Sequence, residues 1–286
     1  MFDNILIPPS FSLIRKGKVF LLLRNDYKDV LLEQGIEDPK AFLQKYRQTS
    51  KYLEGRTLHA SIPLEEGKRI VIRRYLHGGL FGALTRDLYL FGSRSFQELT
   101  LTMQMRTCGI PTIEPIGAIH RTLWPFHQAY LLSLEIPEAK HLIQYFHEIE
   151  AQPSRERVLR KRSIIRSAGL LVRRLHQAGF FHGDLQLKNI LVSGEELFLI
   201  DFDHSYQRDR LSLDERKKNL LRLNRSVEKW KRLGLPITRA DRLHFFLAYA
   251  EGDEEMKKAI QKALRTYFLR RLFYRWSWAV QKMLNK

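Results

Sequence analysis

Residues 180–203 carry the densest chemistry in the chain: Phe180-Phe181-His182-Gly183-Asp184-Leu185-Gln186-Leu187-Lys188-Asn189-Ile190-Leu191-Val192, then Phe198-Leu199-Ile200-Asp201-Phe202-Asp203. An Asp five residues ahead of an Asn, with a second Asp twelve residues beyond that Asn, is the spacing that phosphoryl transfer uses. In that chemistry Asp184 accepts or orients the proton of the acceptor hydroxyl, while Asn189 and Asp201 hold Mg²⁺ on the phosphates of ATP. Lys188, inside the same loop, is grouped with the nucleotide-binding residues. The apolar segments 190–192 and 197–200 flank Ser193-Gly194-Glu195 and are expected to pair as a hairpin that sets the ligand separation. Phosphoryl transfer asks for positioning and charge neutralisation rather than covalent work, so oxygen ligands on rigid elements suffice. A lone His-x-Asp is as often a solvated loop. Order and spacing across the whole stretch distinguish this one.

Other elements must bring nucleotide to that loop. From Lys51 the pattern is that of a three-stranded meander: a segment through Leu53, then Leu58–Ile62, a turn at Glu65-Glu66-Gly67, and Arg69–Tyr75. The third strand carries Arg73, placed for the α and β phosphates, and alternation sends Arg74 to the opposite face. Glu98 lies 25 residues beyond Arg73 on an expected helix whose apolar positions are Phe96, Leu99 and Met103. It is read as the carboxylate partner of Arg73, the alternative being a solvated surface charge. A conventional glycine-rich phosphate loop is absent, since Gly55 stands alone between the first two strands, and Gly78, Gly79 and Gly82 follow the third. Ala129–Pro137 reads as a strand entering a hinge, where backbone groups around Glu135 and Ile136 meet the adenine edge. Residues 154–178 form a long helix with Ile164, Ile165, Ala168, Leu171 and Leu175 on one face, stopped by Gly179 just before the loop. Residues 1–50 show weaker patterning, with a strand-like Val19–Leu23 and a helical stretch ending near Tyr46.

Composition bounds these readings. A chain of 286 residues, 44% hydrophobic and 28% charged, matches a soluble two-lobed unit with one cleft. No apolar run approaches the roughly 18 residues of a membrane span, so the chain is expected on the cytoplasmic side. The single Cys108 cannot form an internal disulfide and is expected to be a small buried apolar group. Forty-nine Lys and Arg against 31 Asp and Glu leave a net charge of +18, a field larger than ATP needs and one that points to an anionic partner. In the tail, Phe273, Trp276 and Trp278 alternate with Arg270, Arg271 and Arg275, the mixture an interfacial helix presents to an anionic membrane surface; ordinary core packing is the competing reading. No nucleic-acid module accompanies the basic residues, so nucleic acid is not expected as a partner.

Several pieces together resemble the lipopolysaccharide kinase family, closest to its 3-deoxy-D-manno-octulosonic acid (Kdo) kinases. They are Val71-Ile72-Arg73-Arg74-Tyr75 running into His77-Gly78-Gly79-Leu80, Ser93–Glu98, Glu135-Ile136-Pro137, the 180–192 loop, Ile200–Asp203 and Asn219–Ser226. The resemblance spans about residues 51–235, and an Arg on the third strand and Asp203 in place of the protein-kinase Gly are both familiar in that family. It implies an α+β, bilobal protein-kinase-like fold, with an N-terminal extension (1–50), a small antiparallel β N-lobe with its hinge (51–136) and a mainly helical C-lobe with a basic aromatic tail (137–286). It further implies ATP- and Mg²⁺-dependent phosphorylation of a core sugar on Kdo-lipid A or a related glycolipid, by a peripheral protein at the cytoplasmic face of the bacterial inner membrane. A heptose kinase of the same family is the near alternative. A protein Ser/Thr or Tyr kinase fits less well, because His182-Gly183-Asp184 lacks the Arg that receives an activation-loop phosphate and no Ala-Pro-Glu anchor follows Asp203. A membrane-bound, catalytically dead scaffold conflicts with the intact Asp184, Asn189 and Asp201.

Overall fold

The computed structural model describes residues 6–53, 59–64, 67–75, 94–124, 126–151 and 154–262. The basic aromatic tail and Gly55, Gly78, Gly79 and Gly82 lie outside the described residues. The chain starts with a hairpin, β1 (Phe11–Lys16) and β2 (Val19–Arg24), followed by two short helices, α1 (Lys28–Glu33) and α2 (Pro39–Lys45). Pro39 at the first helical position and the Asp38 carboxylate, which accepts the Lys40 and Ala41 N–H groups, start α2. The expected meander follows as β3 (Lys51–Leu53), β4 (His59–Pro63) and β5 (Arg69–Arg74), with Ala60 opposite Ile72 and Ser61 opposite Val71. Next come helix α3 (Arg94–Thr107) and the long hairpin β6 (Glu114–Leu123) and β7 (Phe126–Leu134).

These seven strands make one antiparallel sheet in the order β1-β2-β6-β7-β5-β4-β3. Residues 11–24 are therefore built into the sheet: β2 pairs with β6, Leu22 opposite Ala118, while Leu31, Ile36 and Phe42 from the α1–α2 region close one sheet face over Leu21, Ile62, Ile70 and Leu132. Phe96 and Leu99 of α3 cover the other face, against Leu22, Tyr75, Ala118 and Leu131. Cys108 falls just past the end of α3 and is exposed, contrary to the buried role expected of it, because the turn that ends the helix faces solvent.

The rest is mainly helical. It comprises β8 (Lys140–His141), α4 (Leu142–Ala151), α5 (Arg155–Gln177), β9 (Phe180–Phe181), a 3₁₀ turn (Leu187–Asn189), the hairpin β10 (Ile190–Ser193) and β11 (Glu196–Leu199), β12 (Tyr206–Gln207), α6 (Leu213–Arg232), α7 (Arg239–Tyr249) and a helix over 254–262. Ser154 caps α5 by accepting the Arg157 N–H. The apolar face read from sequence, including Ile164, Ala168, Leu171 and Leu175, is buried in one core with Phe146, Phe180, Ile190, Leu199, Phe202 and Leu223. Among the described residues no helix is long and apolar enough to cross a membrane.

Helix α5 crosses α7 at Gly169, where a Cβ would lie 2.5 Å from the Phe245 carbonyl oxygen and 3.1 Å from the Ala248 Cβ. Backbone cannot yield as a flexible side chain does, so Gly169→Ala is expected to cost about 1–3 kcal/mol by overpacking. Chemical denaturation checks it. An unchanged midpoint would mean that the two helices separate easily.

Candidate active site

The β10–β11 hairpin sets the spacing of Asn189 and Asp201. Ile190 pairs with Leu199, and one step beyond that pair the Ile200 N–H donates to the Asn189 carbonyl at 3.1 Å, so Asn189 and Asp201 emerge side by side at one end of the ladder. Asp201 then takes a φ of +67°, an uncommon left-handed conformation that turns the chain out of the strand. Asp184 arrives from the loop between β9 and the 3₁₀ turn. Gly183 lets that loop approach closely, since a Cβ there would stand 2.3 Å from the Asp203 carbonyl oxygen, and its N–H donates to Ser205 Oγ at 2.9 Å.

Four neighbours hold the Asp184 carboxylate. Asn189 Nδ2 donates to the Asp184 carbonyl at 2.7 Å and to Oδ2 at 3.2 Å, the Gln186 amide donates to Oδ1, Lys188 Nζ lies 3.6 Å from Oδ2, and Arg222 donates to Oδ1 at 3.1 Å. Burial opposes ionisation, but the Gln186 amide with the Lys188 and Arg222 cations outweighs it and holds the carboxyl below its ordinary value. Lys188, grouped from sequence with the nucleotide ligands, is placed beside Asp184.

Across from this loop, Arg73 is the strand cation that reaches the centre. Its guanidinium donates to Glu98 Oε1 at 2.7 Å and to Asp201 Oδ1 at 2.6 Å. Glu98, buried on α3, accepts in addition from the Tyr75 hydroxyl and, at 3.1 Å, from the Phe202 N–H. Burial, joined by the Asp201 carboxylate, holds the Glu98 carboxyl above its ordinary value against the pull of Arg73, Tyr75 and the Phe202 amide. For Arg73 burial works the other way, and Glu98, Tyr75 and Asp201 overcome it, keeping the guanidinium charged. Sheet, helix and post-hairpin segment thus meet through one cation. The Tyr75 hydroxyl was not singled out from sequence; its position two residues from Arg73, on the same strand face, was the available signal.

Asn189 and Asp201 offer hard oxygen donors. The two Asn189 Nδ2 bonds turn the amide so that Oδ1 has no bond among the described residues, and Asp201 Oδ2 has none either. Mg²⁺ takes such a pair together with phosphate oxygens and waters rather than a protein cage, and among the described residues no three His, Cys, Asp or Glu gather into one. The hard oxygen donors of Asn189 and Asp201 suit the ion expected from their spacing.

At the expected hinge, the Glu135 N–H is taken by the Arg69 carbonyl at 2.8 Å, and its carboxylate by Arg69 Nε at 3.2 Å and the Ser61 hydroxyl. The Glu135 side chain therefore braces β4 and β5. Ile136 accepts the Ala139 N–H at 3.3 Å, and its own N–H has no bond among the described residues.

His182 supports the loop from below. The Asp184 N–H donates to Nδ1 at 3.1 Å and Nε2 faces the Ile200 carbonyl at 3.1 Å, which places the proton on Nε2 of a neutral ring. Burial lowers its pKa to about 4, and burial does the same for His59, His120 and His176. An unfolded His titrates near 6.5, so between about 6.5 and 4 the unfolded chain binds more protons. The contribution of these rings is complete above about 6.5 and is lost as pH falls toward 4. Thermal midpoints should stay level at neutral pH and drop through that window. A flat profile would mean that the rings titrate in the fold as they do in the unfolded chain.

A sequence profile of the lipopolysaccharide kinase (Kdo/WaaP) family matches residues 40–249. Among similar proteins, the 3-deoxy-D-manno-octulosonic acid kinase of Vibrio vulnificus (strain YJ016) is 34% identical over 165 residues, 55% of this chain and 64% of that protein. The proteins of the same name from Vibrio parahaemolyticus serotype O3:K6 (32% over 208 residues, 69% and 82%) and Haemophilus influenzae (strain PittEE) (32% over 215 residues, 70% and 84%) match over more of both chains. The match to the first thus spans just under two thirds of its length. A solved structure of WaaP in complex with acyl carrier protein shares the fold, with a TM-score of 0.53 at 18% identity over 85% of this chain and 98% of that one.

Proposed function

The chain belongs to the lipopolysaccharide kinase (Kdo/WaaP) family, and on that premise we propose that it transfers the γ-phosphoryl group of ATP to a hydroxyl of a Kdo sugar on lipid A. The observation that carries the reading is the Arg73 guanidinium held between Glu98 and Asp201, with Asp184 and Asn189 around the same hairpin end. Arg73, oriented by Glu98, binds the ATP phosphates, and Lys188 adds positive charge where the transferred group passes. Asp184, held ionised, accepts the proton of the acceptor hydroxyl as its oxygen bonds to the γ-phosphorus and the bond to the β-phosphate oxygen breaks. Asn189 and Asp201 would hold Mg²⁺, which would supply charge neutralisation on the phosphates. The adenine edge meets backbone groups of Glu135 and Ile136, the Ile136 N–H serving as a donor. In this reading the seven-stranded sheet with α3 is the nucleotide-side lobe and residues after the hinge form the helical lobe.

The acceptor is a glycolipid, so the protein works as a peripheral enzyme at the cytoplasmic face of the inner membrane, where ATP is available. Its net charge of +18 and the basic aromatic tail favour contact with anionic headgroups. One experiment tests the reading: purified protein with labelled ATP and Mg²⁺, offered Kdo-lipid A, heptosylated core and a generic protein in parallel. Label is expected in Kdo-lipid A. Preferential labelling of the heptosylated core would reassign the acceptor sugar, and labelling of protein alone or of nothing would overturn the proposal.

A further inference from the structure

Helix α6 carries Asn219, Arg222 and Ser226 at spacings of three and four residues, which puts them on one stripe of its surface. Asn219 and Ser226 are buried there beside the apolar Leu220 and Leu223. Buried polar groups are costly unless bonded, so where their bonds go identifies what the stripe serves. All three reach residues 182–187. Asn219 Oδ1 accepts the His182 N–H at 3.0 Å while its Nδ2 donates to the His182 carbonyl at 2.9 Å, the two-point pairing a neighbouring strand would offer. Ser226 Oγ accepts the Leu187 N–H at 3.2 Å. Between them Arg222 donates from one nitrogen to the Gly183 carbonyl and, at 3.1 Å, to Asp184 Oδ1. The stripe is anchored from behind as well, since Asn219 Oδ1 also meets His176 Nε2 at 3.1 Å, His176 Nδ1 meets the Tyr249 hydroxyl at 2.8 Å, and Arg216 donates to that hydroxyl at 3.1 Å.

We propose that Arg222 is a positioning residue for phosphoryl transfer: it fixes the orientation of the Asp184 carboxylate, on a loop that Asn219 and Ser226 clamp at its two ends. The proposal rests on the reading of Asp184 as the proton acceptor. A planar guanidinium suits the task, because it engages backbone carbonyl and carboxylate together, where an ammonium acts as a point charge. The cations beside Asp184 are Lys188 in its own loop and Arg222 from α6. Lys188 works on Oδ2 and Arg222 on Oδ1, so neither duplicates the other.

The test uses Arg222→Gln and Arg222→Lys in the full chain. For Arg222→Gln, kcat is expected to fall by about 10–100-fold, the scale of a misplaced reacting group, with the KM for ATP unchanged. Arg222→Lys, which keeps the charge without the planar group, should restore only part of kcat. The Asp184 carboxyl resonance in carbon-detected NMR at one fixed pH, in wild type and both variants, needs no acceptor: its shift reports the hydrogen bond to Arg222, and the spectrum reports whether each variant is folded. Should no acceptor be phosphorylated, the functional reading fails while this resonance still decides whether Arg222 holds Asp184. Wild-type turnover in Arg222→Gln, or an Asp184 resonance identical to wild type, would overturn it. If Arg222→Gln does not fold, Arg222→Lys decides: undiminished kcat refutes the positioning role.

Discussion

Replacing Asp184 by Ala is expected to lower turnover by about 10²–10⁴-fold while leaving ATP binding nearly intact, the scale for a positioned acid-base group. Asp184 makes no hydrogen bond to Arg73 or Glu98 among the described residues, and Asn189 keeps its 2.7 Å bond to the carbonyl of residue 184 when the carboxylate is removed, so the Arg73–Glu98 pair and the Asn189 amide stay placed. Asp201→Ala should behave differently. It removes a proposed Mg²⁺ ligand and one of the two carboxylates on Arg73, so Mg²⁺-dependent ATP binding should be lost along with turnover. Single-turnover kinetics with a fluorescent nucleotide separates the two. Near-native turnover in both variants on the best acceptor would end the kinase reading.

The second large effect is at Glu98. Its carboxylate serves Arg73, Tyr75 and the Phe202 N–H, so Glu98→Ala strands three donors at once. Removing one partner of a buried ion pair costs about 3–5 kcal/mol. The pair here is asymmetric, with the Glu98 side chain 1% and Arg73 22% exposed, which places the expected loss toward the lower end. The KM for ATP should rise in step, because Arg73 is then oriented by Asp201 alone. Arg73→Ala should raise it too, and the double variant should be little worse than Glu98→Ala, since contacting residues are not additive. Losses that simply add in the double-mutant cycle would show that the pair does not act as a unit with nucleotide bound. Glu98→Gln, which keeps an oxygen for the Phe202 N–H, should fall between wild type and Glu98→Ala in thermal midpoint.

Much of this site was legible because its determinants are local. The spacing of Asp184, Asn189 and Asp201 is a property of one loop and one two-stranded hairpin, and alternation alone puts Arg73 and Arg74 on opposite faces of a strand. The α5 face and its stop before Gly179 follow from a period that any window of the sequence displays. Residues 11–45 were legible only in part: the strand-like Val19–Leu23 and the helical stretch ending near Tyr46 correspond to β2 and α2, while β1 and α1 were not read. Helices of six and seven residues are too short to show a full period, and the place of β2 in the sheet is set only by pairing with β6, about a hundred residues on. Which strand arginine meets Glu98 and Asp201, and that Cys108 faces solvent, depended likewise on how segments far apart in sequence pack. Asn219, Arg222 and Ser226 contributed to the sequence reading only as part of a resemblance; that they grip the loop required the placement of α6 against it. By itself the sequence determined which groups are available for the proposed phosphoryl transfer and their order along the chain, because covalent spacing and strand alternation act over a few residues. Only the tertiary structure decided which of those groups meet, since each decisive bond joins residues 25 to 128 positions apart and forms only when sheet, hairpin and helix pack together.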